Sequence, residues 1–177
     1  MSITTRQGDT GQTCLFSGER VPKYADRIEA VGELDELVSA LGVARCWCER
    51  EETRRTLLEL QRELFIVGAE LATTPDHLEC LAQRVDETAV AALDARRDEL
   101  ERQVGAPRGF VIPGEARGAA LLDLARAIAR RCERRADRLF AEGQIANPCV
   151  LVWLNRLSDY LWLLARSEET SRPLAGS

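Results

Sequence analysis

The chain has 177 residues, 45% hydrophobic and 30% charged, and no Gly/Ser/Pro-rich linker in its interior, which excludes a disordered polypeptide and suffices for one domain with a real core. A net charge of −5 and a pI near 5.1 leave no broad basic surface for non-specific nucleic-acid binding. Residues 1–9 carry no signal-like apolar segment and no run approaches the roughly eighteen apolar positions of a membrane span, so the sequence reads as cytoplasmic and without a membrane partner.

Residues 1–25 read as an irregular leader. Gly8, Gly11 and Gly18 alternate with Thr5, Thr10, Thr13 and Ser17, and Arg6 and Lys23 flank them. Glycines permit close backbone approach, and hydroxyls and cations suit an oxyanion, although the same composition also fits a plain N-terminal loop. A Walker loop is excluded because no G-K-[ST] follows. The first helix is expected to begin after Asp26 and run to about Cys48, with Ile28, Val31, Leu34, Val38 and Leu41 as its seam and Asp35 and Glu36 off it. A second, from about 51 to 73, repeats the design with Leu57, Leu60, Leu64, Val67 and Leu71, and Thr74, Pro75 and Asp76 stop it. His77, the single histidine, stands beyond it as loop decoration. The third helix, roughly 83–104, aligns Val85, Ala89, Leu93, Arg96 and Leu100; its thin stripe predicts an outer position.

The stretch 107–143 changes character twice. An apolar strip, Phe110, Val111 and Ile112, is stopped by Pro113 and Gly114, and about eight turns of helical pattern follow, ending at Gly143. Leu121, Ala125, Ile128, Cys132, Ala136 and Leu139 form its predicted core stripe. Six arginines lie between Arg126 and Arg138 against only Glu133 and Asp137, a local net charge of +4 in an acidic chain. Arg126, Arg130 and Arg134 repeat at i, i+4, i+8. Two readings remain open here: a solvated face on which Glu133 and Asp137 hold the guanidiniums, or a seat for an anionic ligand.

The last helix starts at Asn147-Pro148, a capping residue followed by proline at the first helical position. Val150, Leu154, Leu157, Leu161 and Leu164 form its seam, broadened by Trp153, Tyr160 and Trp162. Asn155, Asp159 and Arg166 share another flank with Arg156 and Ser158. A buried mid-helix asparagine without a partner costs about 1–3 kcal/mol, so Asn155 either touches a ligand or bonds a neighbouring helix. Residues 170–177 read as a frayed tail. The six cysteines, at 14, 46, 48, 80, 132 and 149, form no C-x-x-C pair and read as mostly reduced core or boundary residues. Five long helices with short joins predict an all-α, antiparallel five-helix bundle of ferritin-like proportions over 26–169. Di-iron carboxylate chemistry is excluded, because it requires Glu-x-x-His on two helices.

Six collinear segments resemble the PduO-type ATP:cob(I)alamin adenosyltransferases: T-x-x-G-D-x-G-x-T at 5–13, G-E-R-x-P-K at 18–23, E-A-V-G-E-L-D-E-L at 29–37, F-V-I-P-G at 110–114, L-A-R-x-x-x-R-R-x-E-R at 124–134 and N-R-L-S-D at 155–159. The resemblance implies a homotrimer with ATP bound between subunits and corrinoid nearby. By position, Thr5, Arg6, Gln7, Gly8, Thr13, Cys14 and Lys23 would wrap the triphosphate, and Arg130, Arg131, Glu133, Arg134 and Asn155 would complete the ATP site. Asp35 and Arg126 match an intersubunit salt bridge, and Phe110 matches the aromatic residue that keeps the lower axial ligand off cobalt. The resemblance further implies transfer of the 5′-deoxyadenosyl group of ATP to Co(I), with triphosphate released. Magnesium would accompany ATP without an assigned protein ligand, a reductase would supply the electron, and an adenosylcobalamin-dependent enzyme would receive the product.

That reaction needs no general base and no protein nucleophile, only in-line placement and stabilisation of charge on the leaving triphosphate. The residue inventory matches: arginines, a lysine and a glycine-bearing loop, with no triad. The chain departs from the family pattern at Thr10, where lysine is usual, at Glu115, where a second glycine is usual, and at Cys14, where Ser or Thr is common. Two other readings remain at this stage: a catalytically impaired ATP or corrinoid carrier or sensor, and an arginine row serving only as trimer glue.

Overall fold

The computed structural model describes residue 6 and residues 8–105 and 109–169. Five α-helices account for most of them: α1 (Asp26–Trp47), α2 (Glu51–Leu71), α3 (Glu87–Val104), α4 (Arg117–Ala141) and α5 (Pro148–Glu169), with a 3-10 turn at Pro75–Cys80 between α2 and α3. They run up, down, up, down, up. α4 packs between α1 and α5, α2 leans on α1, and α3 leans on α5.

Each helix follows from its pattern. The α2 seam is buried as read: Leu57, Leu60, Leu64, Val67 and Leu71. α3 buries only Leu93 and is the outer helix expected. It starts later than the spacing predicts because Asp86 caps it, its carboxylate accepting the Ala89 N–H at 2.8 Å. At α5, Asn147 Oδ1 accepts the Cys149 N–H at 3.0 Å and Pro148 occupies the first position, as predicted. The whole α5 seam is buried.

The α1 seam differs from the expectation. Ala30, Leu34, Leu37, Leu41 and Ala44 are buried, whereas Ile28, Val31 and Val38 are half-buried flanks. Small alanines on the inner line let neighbouring backbones approach, so the larger β-branched residues move to the shoulders. Gly118 at the start of α4 makes the same point: a Cβ there would lie 2.9 Å from the Cys48 Cα.

The leader is not wholly irregular. β1 (Gln12–Cys14) and β2 (Arg20–Pro22) pair antiparallel with Thr13 opposite Val21. Gly11 and Gly18 take positive φ at 79° and 93°, which supplies the turns. Strands of three residues are too short to show an alternating pattern, so the reading missed them. Phe16 N–H donates to the Ala72 carbonyl at 3.0 Å and pins the hairpin to the end of α2.

Buried polar groups close both ends of the bundle. At the leader end, Arg27 donates to the carbonyls of Leu71 (2.6 Å), Thr73 (2.9 Å) and Gln144. Burial pushes this guanidinium below its usual pKa, and the Glu19 carboxylate opposes the shift. Buried Glu70 accepts from Asn147 Nδ2 at 2.8 Å and from the Val85 N–H at 3.1 Å. At the opposite end, Glu168 accepts the Glu49 and Arg50 N–H groups that precede α2. The six cysteines are free; Cys48 and Cys132 are buried, Cys149 is intermediate, and Cys14, Cys46 and Cys80 are exposed, so half rather than most are core or boundary residues.

Candidate functional site

The arginines of α4 divide by flank. Arg131, Arg135 and Arg138 face α1, whose carboxylates hold them: Arg131 with Glu36 and, at 3.5 Å, Glu33; Arg135 with Glu33 at 3.1 Å; Arg138 with Asp26 at 3.2 Å. These are interhelical braces. Their acidic partners come from α1, about a hundred residues earlier. Among the described residues neither Glu133 nor Asp137 forms an ion pair with any arginine of α4, so the open reading in which those two hold the guanidiniums is not the one the structure takes. Arg131, expected at the nucleotide, is therefore engaged within its own chain; the Glu36 hydrogen bond raises its pKa.

Arg130 and Arg134 lie exposed on the other flank, and neither has a carboxylate partner among the described residues. Arg134 Nη1 donates to the Arg130 carbonyl at 2.9 Å, which lays its side chain back along the helix beside Arg130. Next to them Glu133 accepts from Asn155 Nδ2 at 2.8 Å, and Asn155 Oδ1 accepts from Arg156 at 2.9 Å. Asn155 thus bonds the neighbouring helix, one of the two readings left open, and fixes Glu133 at the edge of the open guanidinium pair. The structure brings together Arg130, Glu133, Arg134 and Asn155.

Arg126 is half-buried and sits 3.2 Å from Asp123, while Asp35 is exposed on α1 with no ion pair among the described residues. Within one chain they are not partners. In the leader, Gly8 and Lys23 come together: a Cβ on Gly8 would lie 2.9 Å from Lys23 Nζ, so the lysine head folds over bare backbone. Lys23 N–H also donates to the Gly11 carbonyl at 2.9 Å. Arg6 is exposed with φ 57°, Thr13 is half-buried, and Thr10 and Cys14 are exposed. Thr5 and Gln7 lie outside the described residues, as does the tail at 170–177.

Phe110 and Ile112 are exposed in the segment before α4, with Val111 less so, and Glu115 there is exposed as well. This segment lies at the end where α1 finishes, beside Trp47, whose ring carries the Arg117 guanidinium at 5.4 Å. The hairpin is pinned at the opposite end. The 25 residues of α4 separate the two, about 37 Å at a rise of about 1.5 Å per residue.

Sequence reasoning missed the buried charges Asp123, Arg166 and Glu168. The helical spacing puts Arg166 on the polar flank of α5, yet it is buried against Asp123 at 2.5 Å. Its partner lies 43 residues away, a relation no local period reveals. Among the described residues no group of three or more His, Cys, Asp or Glu could hold a metal ion, and no helix is long and apolar enough to cross a membrane.

Fold and site thus define an antiparallel helical bundle whose uncommitted groups lie on its surface and at its ends. The family model described as Cobalamin adenosyltransferase matches residues 3–168, and the chain belongs to that family. The corrinoid adenosyltransferase PduO of Salmonella typhimurium is 40% identical over 171 residues, which cover 96% of this chain and 50% of that protein. The chain spans about half the length of the PduO relatives it matches. A corrinoid adenosyltransferase of Citrobacter freundii is 42% identical over 171 residues, covering 96% of each chain. A solved variant of a PduO-type ATP:corrinoid adenosyltransferase from Lactobacillus reuteri, complexed with cobalamin and ATP, superposes with a TM-score of 0.88 at 34% identity, over 96% of this chain and 94% of that one.

Proposed function

We propose that the protein transfers the 5′-deoxyadenosyl group of ATP to Co(I) of a corrinoid, forming adenosylcobalamin and releasing triphosphate. The observation that carries this reading is the pair of guanidiniums, Arg130 and Arg134, left without carboxylates among the described residues beside the Glu133–Asn155 bond, in a chain of this family. Every other arginine from 126 to 138 has an acidic neighbour.

Co(I) is itself the nucleophile, so the protein's work is placement and charge. Arg130 and Arg134 would take charge that builds on the triphosphate as the bond to the 5′ carbon breaks. Glu133, oriented by Asn155, would accept from the nucleoside. Arg6, Gly8, Thr13, Cys14 and Lys23, with Thr5 and Gln7, would wrap the phosphates through backbone N–H groups, hydroxyls and the ammonium. A magnesium ion would arrive with ATP, and the protein's share of the neutralisation would fall to these cations. Phe110 would form an apolar wall beside cobalt, where exclusion of water and of the lower ligand favours reduction.

The leader and the Phe110 segment of one chain are a bundle length apart, which supports a site shared between protomers of a homotrimer. Asp35 and Arg126, unpaired with each other within the chain, would then meet across the seam. Arg131 would reach ATP only by leaving Glu36. The protein would work in the cytoplasm with a reductase and an adenosylcobalamin-dependent acceptor enzyme as partners.

Mixing protein, ATP, magnesium and chemically reduced cobalamin tests the reading. Appearance of the light-sensitive Co–C product is the expected result. ATP binding without turnover would instead indicate a carrier or sensor, and neither binding nor turnover would reduce the arginine row to assembly glue.

A further inference from the structure

Asp123 and Arg166, buried together at the Phe110 end of the bundle, take no direct part in the proposed reaction. Asp123, on the second turn of α4, is only 5% exposed, and its two oxygens serve different helices. Oδ2 accepts from Arg166 of α5 at 2.5 Å, and Oδ1 accepts from Arg126 Nε at 3.2 Å. Arg166 is itself immobilised: it bonds Glu169 at 2.8 Å and lies 5.2 Å from the Trp162 ring centroid.

Neutralising Arg166 does not account for Asp123. Glu169 already supplies a carboxylate to that guanidinium, and a second buried carboxylate is costly unless both of its oxygens are used. The remaining oxygen is spent on Arg126. It holds the inner nitrogen of the guanidinium, Nε, and leaves both terminal nitrogens without a hydrogen-bond partner among the described residues. A planar fork held at its base presents two parallel N–H donors, the geometry that takes a carboxylate bidentately.

We propose that Asp123 is a positioning residue: braced by Arg166, which itself lies against the Trp162 ring, it aims the Arg126 fork at an acceptor outside its own chain. This rests on the reading above in which Arg126 meets Asp35 of a neighbouring protomer at the shared site. The α5 core is thereby linked to the seam through one carboxylate, so the seam geometry depends on packing that no seam residue touches.

The test compares Asp123→Asn, Arg126→Ala and the double variant in the Co(I)-plus-ATP assay, with melting temperature and oligomeric state measured on each. Asparagine keeps the shape and loses the charge. Asp123→Asn is expected to lower kcat/KM about tenfold, and the double variant to be no worse than Arg126→Ala alone, because residues acting through one another are non-additive. Effects that multiply would overturn the proposal by itself. An Arg126→Ala variant with normal turnover and assembly would overturn it through the reading beneath it. Should Asp123→Asn fail to fold, Arg126→Lys decides. A lysine has one point charge and cannot be held by Asp123 while offering a fork, so a loss matching Arg126→Ala is expected, and normal turnover would overturn the proposal.

Discussion

The two flanks of α4 carry the same residue type to opposite ends. On the α1 flank, Arg131, Arg135 and Arg138 each find an acidic partner and join two helices. Away from α1, Arg130 and Arg134 face outward beside a bond between Glu133 and Asn155. A guanidinium opposite a carboxylate is spent on packing; one without a carboxylate is available to a ligand. Density of positive charge along the chain therefore says little about a site until the neighbouring helix is known.

The largest expected effect comes from the open flank. Arg130→Ala should lower kcat/KM by about 10²–10³, the scale of one lost donor to developing charge, with the melting temperature and assembly unchanged. Unfolding or dissociation in its place would erase the distinction between flanks. Phe110→Ala should cost about tenfold or more when cob(II)alamin must be reduced on the protein, and only a few-fold with preformed Co(I). Equal losses in both assays would contradict an apolar wall at cobalt. A smaller change is expected from Gly8→Ala, whose methyl would push the Lys23 ammonium aside; a several-fold rise in the KM for ATP, with kcat little altered, is the outcome to look for.

On the braced flank, Arg135→Ala should reduce stability by about 0.5–1 kcal/mol in denaturant melts, the scale of a partly exposed ion pair, while folded protein turns over normally. A collapse of turnover there would move Arg135 into the site. The last test concerns the core beneath both flanks. Burial pushes the Cys48 and Cys132 thiols up from 9.0 to about 12, so in the folded state they keep their protons where the unfolded chain loses them. Their contribution to stability is whole below pH 9 and declines as pH rises from 9 towards 12, by up to about 1.4 kcal/mol per pH unit for each thiol. Melting temperatures that stay flat over that range would contradict it.

The helices and their order were legible because an amphipathic period persists over twenty or so residues, and the α2 and α5 seams matched residue for residue. The α1 seam is harder to read because bulk does not mark burial there: Ala30 and Ala44 are buried on the inner line, while Ile28, Val31 and Val38 are only half-buried. The hairpin of the leader is too brief for any period to register. Of the nucleotide-site candidates on the helices, Arg130, Glu133, Arg134 and Asn155 came together, whereas Arg131 turned to a carboxylate of its own chain, as did Arg126, the expected intersubunit partner of Asp35.

By itself the sequence determined the helical periodicity, the capping of α5, the family and the excess of arginine on α4, because each of these is written in residues close together in the chain. Only the tertiary structure decided which arginines are braces, which are open, and that Asp123 joins Arg126 to a buried arginine. Those outcomes depend on side chains 43 to 112 residues apart, brought together when hydrophobic seams choose which helices become neighbours.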